Sequence, residues 1–367
     1  TTLSSRRGFA ACKVKTLHCD PVRRHGAAVL SSKLGTRGAV LGNSVGKVAT
    51  QASRVRRTRA FRSVCASTAS PDDAVGELEE STLTVPSGYR LEVLSQKPSS
   101  RSSSRRSSKP PLVFIHGSYH AAWCWAVHFM PFFAGLGYEV HALSLRGQGR
   151  GDKVEVLPTT DDHAADIIYF LNKLRAPAVL VGHSFGGIIV QRIIGGGRGG
   201  GIKTPKLAGA VLACSVPPYG NGPMVARFLM AKPLASLRLT WSLAAGGWDG
   251  NPKLCRESFF SSDLPEPTLT KYMQLMRANS RGRLLDLKHL NGILPLAVPP
   301  KGSIPVLVMG AAADFCVDVK GVEDTAEAYG VRAHVLNAHI PHDIMLDVKW
   351  PAAADVIHGW LTDNTRT

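Results

Sequence analysis

Residues 177–194 constrain this chain more than any other stretch. Pro177-Ala178-Val179-Leu180-Val181 reads as a buried strand, and Ile188-Ile189-Val190-Gln191-Arg192-Ile193-Ile194 reads as an apolar helix. Between them, Gly182-His183-Ser184-Phe185-Gly186 has to turn the chain. So sharp a turn puts Ser184 in strained backbone geometry, and glycines two residues to either side let neighbouring backbone approach without a Cβ clash. The serine hydroxyl is lifted above the sheet, and the next amide N–H, that of Phe185, faces the same space. G-x-S-x-G between a strand and a helix is the pattern of a nucleophile elbow. The competing reading is a glycine-rich turn with an incidental serine.

The rest of the chain alternates in a compatible way. Residues 112–115, 138–145, 207–216, 305–310 and 333–336 read as further apolar strands. A helix over 160–174, capped by Thr160 or Asp161, and a closing helix over 350–361 fall between or after them. Residues 82–85 and 89–94 alternate like an opening hairpin. The expected fold is α/β: a mostly parallel central sheet with helices on both faces. Residues 217–303 interrupt the alternation with helical patterns at 224–230, 234–243 and 269–276, an insertion too long for a plain crossover, and so read as a helical cap. The expected layout is a leader over 1–66, a linker over 67–80, the core over 81–216 and 304–367, and the cap over 217–303.

The formal net charge of +17 is unevenly placed. Fourteen of the 44 Lys and Arg lie in residues 1–70, against the single acid Asp20. This basic, Ser- and Ala-rich, acid-poor segment has the composition of an organellar transit peptide. Val64-Cys65-Ala66 before Ser67 resembles a stromal processing site, so a chloroplast location is expected, in the stroma or peripheral to plastid membranes. The alternative is a basic arm that binds anionic lipid or nucleic acid; the absence of interleaved aromatics and of any RNA-binding motif argues against nucleic acid as a partner. No run reaches the length of a transmembrane helix. Cys124, Cys214, Cys255 and Cys316 lie outside the leader without C-x-x-C spacing, as free thiols would. The Ser/Arg tract over 99–109 and the glycine run over 195–201 read as mobile loops; the latter lacks a nucleotide-binding pattern.

A serine hydroxyl is a weak nucleophile at neutral pH, so Ser184 needs a base and the base needs an orienting carboxylate. On this kind of fold they follow in the order Ser, acid, His. Asp314 lies just after the apolar strand ending at Gly310; Asp318, further into the next helix, is its rival. For the base, His342 is preferred at a loop-to-helix junction, with His339 as its rival and a pocket-rim residue. His339 and His342 also form an H-x-x-H pair, but Pro341 disfavours the helix that would align both on a metal. An oxyanion hole needs two N–H donors, which Phe185 and Ser118 supply. His116 supports that loop, and Cys124 has no base assigned to it.

These residues resemble the α/β-hydrolase superfamily over about residues 80–365. His116-Gly117-Ser118-Tyr119-His120-Ala121-Ala122-Trp123-Cys124-Trp125 is similar to the H-G-x-x-H-G-A-W-C-W opening of plant methylesterases and hydroxynitrile lyases, with Ala121 in place of a glycine. Pro341-His342-Asp343-Ile344-Met345-Leu346 is similar to the catalytic-histidine segment of lipase- and esterase-like members. The resemblance implies a Ser184–Asp314–His342 triad, with Ser118 and Phe185 as oxyanion donors. His116, Gly117, Tyr119, His183 and Trp241 are expected around the substrate, which the apolar cap makes a small hydrophobic or lipid-like carboxylic ester. Ser184 argues against epoxide hydrolases and haloalkane dehalogenases, which carry Asp at the elbow. Neither a metal nor an organic cofactor is expected. A peripheral contact with plastid membranes and the oligomeric state stay open. The competing functions are a non-hydrolytic ligand receptor and a hydroxynitrile-lyase-like lyase.

Overall fold

The computed structural model describes residues 75–98, 109–196, 203–231, 233–280, 282–337 and 339–365. The expected leader and cleavage site, most of the Ser/Arg tract and most of the glycine run fall outside these residues.

β1 (Val75–Thr84) and β2 (Arg90–Pro98) form an antiparallel hairpin. β3 (Leu112–Ile115), β4 (Val140–Leu143), β5 (Val179–His183), β6 (Gly209–Ala213), β7 (Val306–Ala311) and β8 (Ala333–Leu336) run parallel. β2 joins the hairpin to β4, antiparallel, and the sheet order is β1-β2-β4-β3-β5-β6-β7-β8. α1 (Trp123–Ala126) and α2 (Phe129–Gly135) follow β3, α3 (Thr160–Leu171) follows β4, and α4 (Phe185–Ile194) follows β5. Five helices separate β6 from β7: α5 (Gly222–Ala231), α6 (Pro233–Ala245), α7 (Pro252–Phe259), α8 (Glu266–Asn279) and α9 (Leu287–Ile293). α10 (Val319–Tyr329) lies between β7 and β8, and α11 (Trp350–Asn364) follows β8.

Every residue of β3 to β7 is buried, which explains why they are apolar apart from His141 and His183. Alternate residues serve opposite faces. Leu112 and Phe114 enter one core layer, with Phe114 stacked on Trp125 at 4.9 Å, while Val113 and Ile115 enter the other against α3 and α4.

Two expectations at the edges need correcting. Residues 75–80 are not linker but the first half of β1, paired with β2. Their run of glutamates disguised them; an edge strand tolerates and benefits from such charges. The cap of α3 is Thr159, not Thr160 or Asp161. Its hydroxyl accepts the Asp162 N–H at 3.1 Å while the Asp162 carboxylate accepts the Thr159 N–H at 2.8 Å. This reciprocal capping box stabilises the 159 frame over its neighbours by about 1 kcal/mol.

Candidate active site

Ser184 joins β5 directly to α4 with φ 54° and ψ −123°. Such backbone costs of order 1–3 kcal/mol and is retained only where its surroundings dictate it. Those surroundings are close-packed. A Cβ on Gly182 would stand 2.7 Å from the Gly186 carbonyl oxygen, and one on Gly186 2.5 Å from that of Ile115. Among the described residues, the other non-glycine residues with positive φ are Tyr119 at 67° and Cys214 at 45°. All three follow the C-terminal ends of β3, β5 and β6, which are neighbours in the sheet. Ligands of open α/β sheets bind at that edge.

Asp314 follows β7, and its two oxygens are used differently. Oδ1 accepts the N–H groups of Cys316 (2.6 Å) and Val317 (2.9 Å), and Oδ2 lies 2.8 Å from His342 Nδ1. The rival Asp318 is the N-cap of α10, accepting the Gly321 N–H at 2.8 Å, and pairs with Arg227. Burial disfavours a charged His342, but the bond to Asp314, its charge and that of Asp343 outweigh it, so the imidazole is raised above its ordinary 6.5. His342 does not lead into a helix as expected. It opens a tight turn, with Asp343 accepting the N–H groups of Leu346 and Asp347, and α11 starts only at Trp350. His339 is exposed and stands apart from the cavity.

The other histidines around the site are structural in their contacts. His116 Nδ1 donates to the Gly117 carbonyl at 2.8 Å and Nε2 accepts the Leu145 N–H at 2.9 Å, tying the loop after β3 to β4. Burial lowers its pKa to about 3. His183 Nε2 donates to the His342 carbonyl at 3.0 Å, fixing the histidine turn to the elbow; burial holds it, too, at about 3. His120 donates from Nδ1 to the Ser118 carbonyl (2.8 Å), and its Nε2 lies 2.9 Å from Asp343 Oδ2. Asp343 is wholly buried; burial pushes its carboxyl up, and His120 outweighs that, leaving it below the usual carboxylate range. This second imidazole–carboxylate pair was not found from sequence. Its only signal was a carboxylate next to His342 and an unassigned His120 in the loop motif.

One cavity of about 320 Å³ brings together Ser118, Tyr119, His183, Ser184, Phe185 and His342. Its walls include Met224 and Phe228 of α5, Phe259 of α7, and Phe315 after β7. Gly117 lies beneath it, where a Cβ would stand 2.8 Å from that of Ser184. His116 is buried behind the loop and does not reach the cavity. Trp241 is not at the site: it is 58% exposed on α6 and absent from the cavity walls. Its apolar character marked it for a pocket, but the helix turns it outward. Two sets of described residues bring metal-ligand atoms within 4.8 Å of one another: His183, Cys214 and His342, and Asp314, Cys316 and His342. Both draw on His342, and burial keeps the Cys214 and Cys316 thiols protonated, so metal binding would compete with the His342–Asp314 pair. Cys124 is fully buried and absent from the cavity walls, and burial raises its thiol, so it is not a rival nucleophile.

The model of the alpha/beta hydrolase family matches residues 112–349, a span holding Ser184, Asp314 and His342. The chain belongs to the alpha/beta hydrolase family. Over 89 residues, 23% of this chain, it is 34% identical to Methylesterase 1 of Arabidopsis thaliana, covering 34% of that protein. Over 109 residues it is 38% identical to a non-heme chloroperoxidase of Streptomyces lividans, covering 29% of this chain and 37% of that protein. The chain thus spans about a third of the length of these curated relatives. Among solved structures, an esterase from Exiguobacterium antarcticum superposes with a TM-score of 0.55 at 17% identity, over 77% of this chain and all of that one. A bromoperoxidase from Bacillus anthracis gives 0.54 at 19% identity, over 78% of this chain and all of that one. These likenesses establish the alpha/beta hydrolase fold.

Proposed function

We propose that this chain is a serine hydrolase acting on hydrophobic carboxylic esters. The observation that carries the reading is the His342–Asp314 pair, 2.8 Å apart and buried, on the same cavity as a strained Ser184. His342 takes the proton of Ser184, whose oxygen attacks the ester carbonyl. The amides of Ser118 and Phe185 receive the developing oxyanion, and the charge of Asp314 supports the imidazolium. Phe185 opens α4, where the first N–H groups have no acceptor within the helix. Collapse of the tetrahedral intermediate releases the alcohol, which leaves with the proton of His342. Water, deprotonated by the same base, then frees the acid from Ser184. The apolar walls at Met224, Phe228, Phe259 and Phe315 favour a hydrophobic acyl or alcohol group. The methylesterase named among the relatives supports ester chemistry.

The test is hydrolysis of esters of increasing acyl length, with Ser184→Ala in parallel. The reading expects turnover and fluorophosphonate labelling in the parent and loss of both in the variant, by about 10³-fold or more in rate. Unchanged turnover in Ser184→Ala overturns it. The plastid location rests on residues 1–66 alone. Its test is import of a fluorescent fusion, with cleavage near Ala66 expected.

A further inference from the structure

α6 packs against α5 and α7, α5 and α6 each line part of the cavity, and several of their large apolar side chains face outward. Among the described side chains of α6, the buried ones are Ser236 and Ser242. Ser236 lines the cavity, and Ser242 lies 3.1 Å, Oγ to Oγ, from Ser258 of α7. Three large apolar residues of α6 face out: Leu234 is 83% exposed, Leu237 60% and Trp241 58%. Their spacing of three and four residues puts them on one stripe of the helix. α5 continues the surface. Met224 and Phe228 enter the cavity, while Val225, Leu229 and Met230 are exposed on its other faces, Met230 to 79%. Six large apolar side chains on two adjoining helices exceed the scattered exposure that any protein surface carries.

We infer that the α5–α6 hairpin is a docking face for the surface of a lipid bilayer. Three observations on the hairpin select this occupant. An outward Leu234–Leu237–Trp241 stripe suits an apolar phase on the outside, and Trp is suited to the boundary between headgroups and acyl chains. Residues 222–245 contain Arg227, Lys232 and Arg238 and no Asp or Glu, which matches an anionic headgroup layer. Arg227 and Arg238 are tied to Asp318 and Glu257 in neighbouring elements, so attraction to anionic lipid reinforces the apolar contact and does not replace it. Finally, α5 is at once part of the exposed face and a wall of the cavity, so a docked hairpin sets the cavity against the lipid. The docking face stands independently of the ester-hydrolase reading.

The experiment is flotation of the whole chain with two kinds of vesicle, phosphatidylcholine alone and phosphatidylcholine with phosphatidylglycerol, for the parent and for Leu234→Ser/Leu237→Ser. Sedimentation velocity without lipid runs beside it. The inference expects the parent to float with both vesicles, more of it with the anionic kind, and the variant to lose at least ten-fold in partitioning. Both proteins should show the same thermal unfolding. A blue shift of tryptophan emission on docking that disappears in Trp241→Phe would place this face in the lipid. A parent that stays unbound but dimerises, with a monomeric variant, overturns the inference in favour of contact with a second copy. A parent that neither floats nor self-associates overturns it outright, as does a variant that floats like the parent. None of these readouts depends on ester turnover.

Discussion

His342 Nδ1 lies 2.8 Å from Asp314 Oδ2, across 28 residues of sequence that include α10 and β8. Two parallel strands side by side, β7 and β8, bring their C-terminal loops together, and the buried carboxylate is left with one oxygen for backbone amides and one for the imidazole. That division holds Asp314 rigid while it orients the ring.

Asp314→Asn keeps the shape and removes the charge that supports the imidazolium. Ester turnover is expected to fall by about 10³–10⁴-fold. Asp318→Ala should leave turnover within a few-fold of the parent while lowering unfolding stability by about 1 kcal/mol, because Asp318 caps α10. The reverse pattern would exchange the two acids.

The base must be neutral to accept the Ser184 proton, so kcat/KM on an uncharged ester should rise with pH as His342 loses its proton. Asp314 and Asp343 raise His342 above 6.5 despite its burial, which places the midpoint of the acid limb above 6.5. In Asp314→Asn the residual activity should show a lower midpoint. A parent midpoint below 6.5 would contradict the assignment.

Acid should also destabilise the fold through histidines that are buried neutral. Burial depresses His116 and His183 to about 3 and His141 and His163 to about 4, against an ordinary 6.5. Their folded values are the lower ones. The stability they allow is therefore complete above 6.5 and lost as pH falls from 6.5 toward 3 to 4, where the unfolded chain takes up protons first. The loss is on the order of 1 kcal/mol per histidine per pH unit. His342, raised instead, works in the opposite sense, but it is one against four. Urea midpoints at neutral and mildly acidic pH check this: a midpoint that does not fall on acidification would show these rings to be protonated in the native state.

Asp343→Asn removes the carboxylate charge that lies 2.9 Å from His120 Nε2. Breaking such a pair costs about 3–5 kcal/mol, well beyond a surface ion pair. The measurement is chemical denaturation of the variant beside the parent. A change below about 1 kcal/mol would mean that the buried pair carries little net charge.

Much of this was legible in the chain. β3 to β7 could be read because strands buried on both faces are mostly apolar, and the elbow because glycines on either side of Ser184 leave room for so sharp a turn between β5 and α4. The order Ser184, Asp314, His342 followed from where such loops fall along an α/β chain. The glutamates of β1 concealed a strand, since edge residues need no burial pattern. Trp241 was assigned inward because composition counts apolar residues without saying which way they face.

The sequence by itself determined the parallel strands and the elbow and put forward the candidate triad, because buried strands carry an apolar run and the elbow is a turn with few steric solutions. Only the tertiary structure decided that Asp314 rather than Asp318 meets His342. It alone paired His120 with Asp343, which are more than two hundred residues apart, and turned Ser236 and Ser242 of α6 inward and Leu234 and Leu237 out. Those outcomes depend on which surfaces meet once the layers have packed, and no local pattern of residue types carries that information.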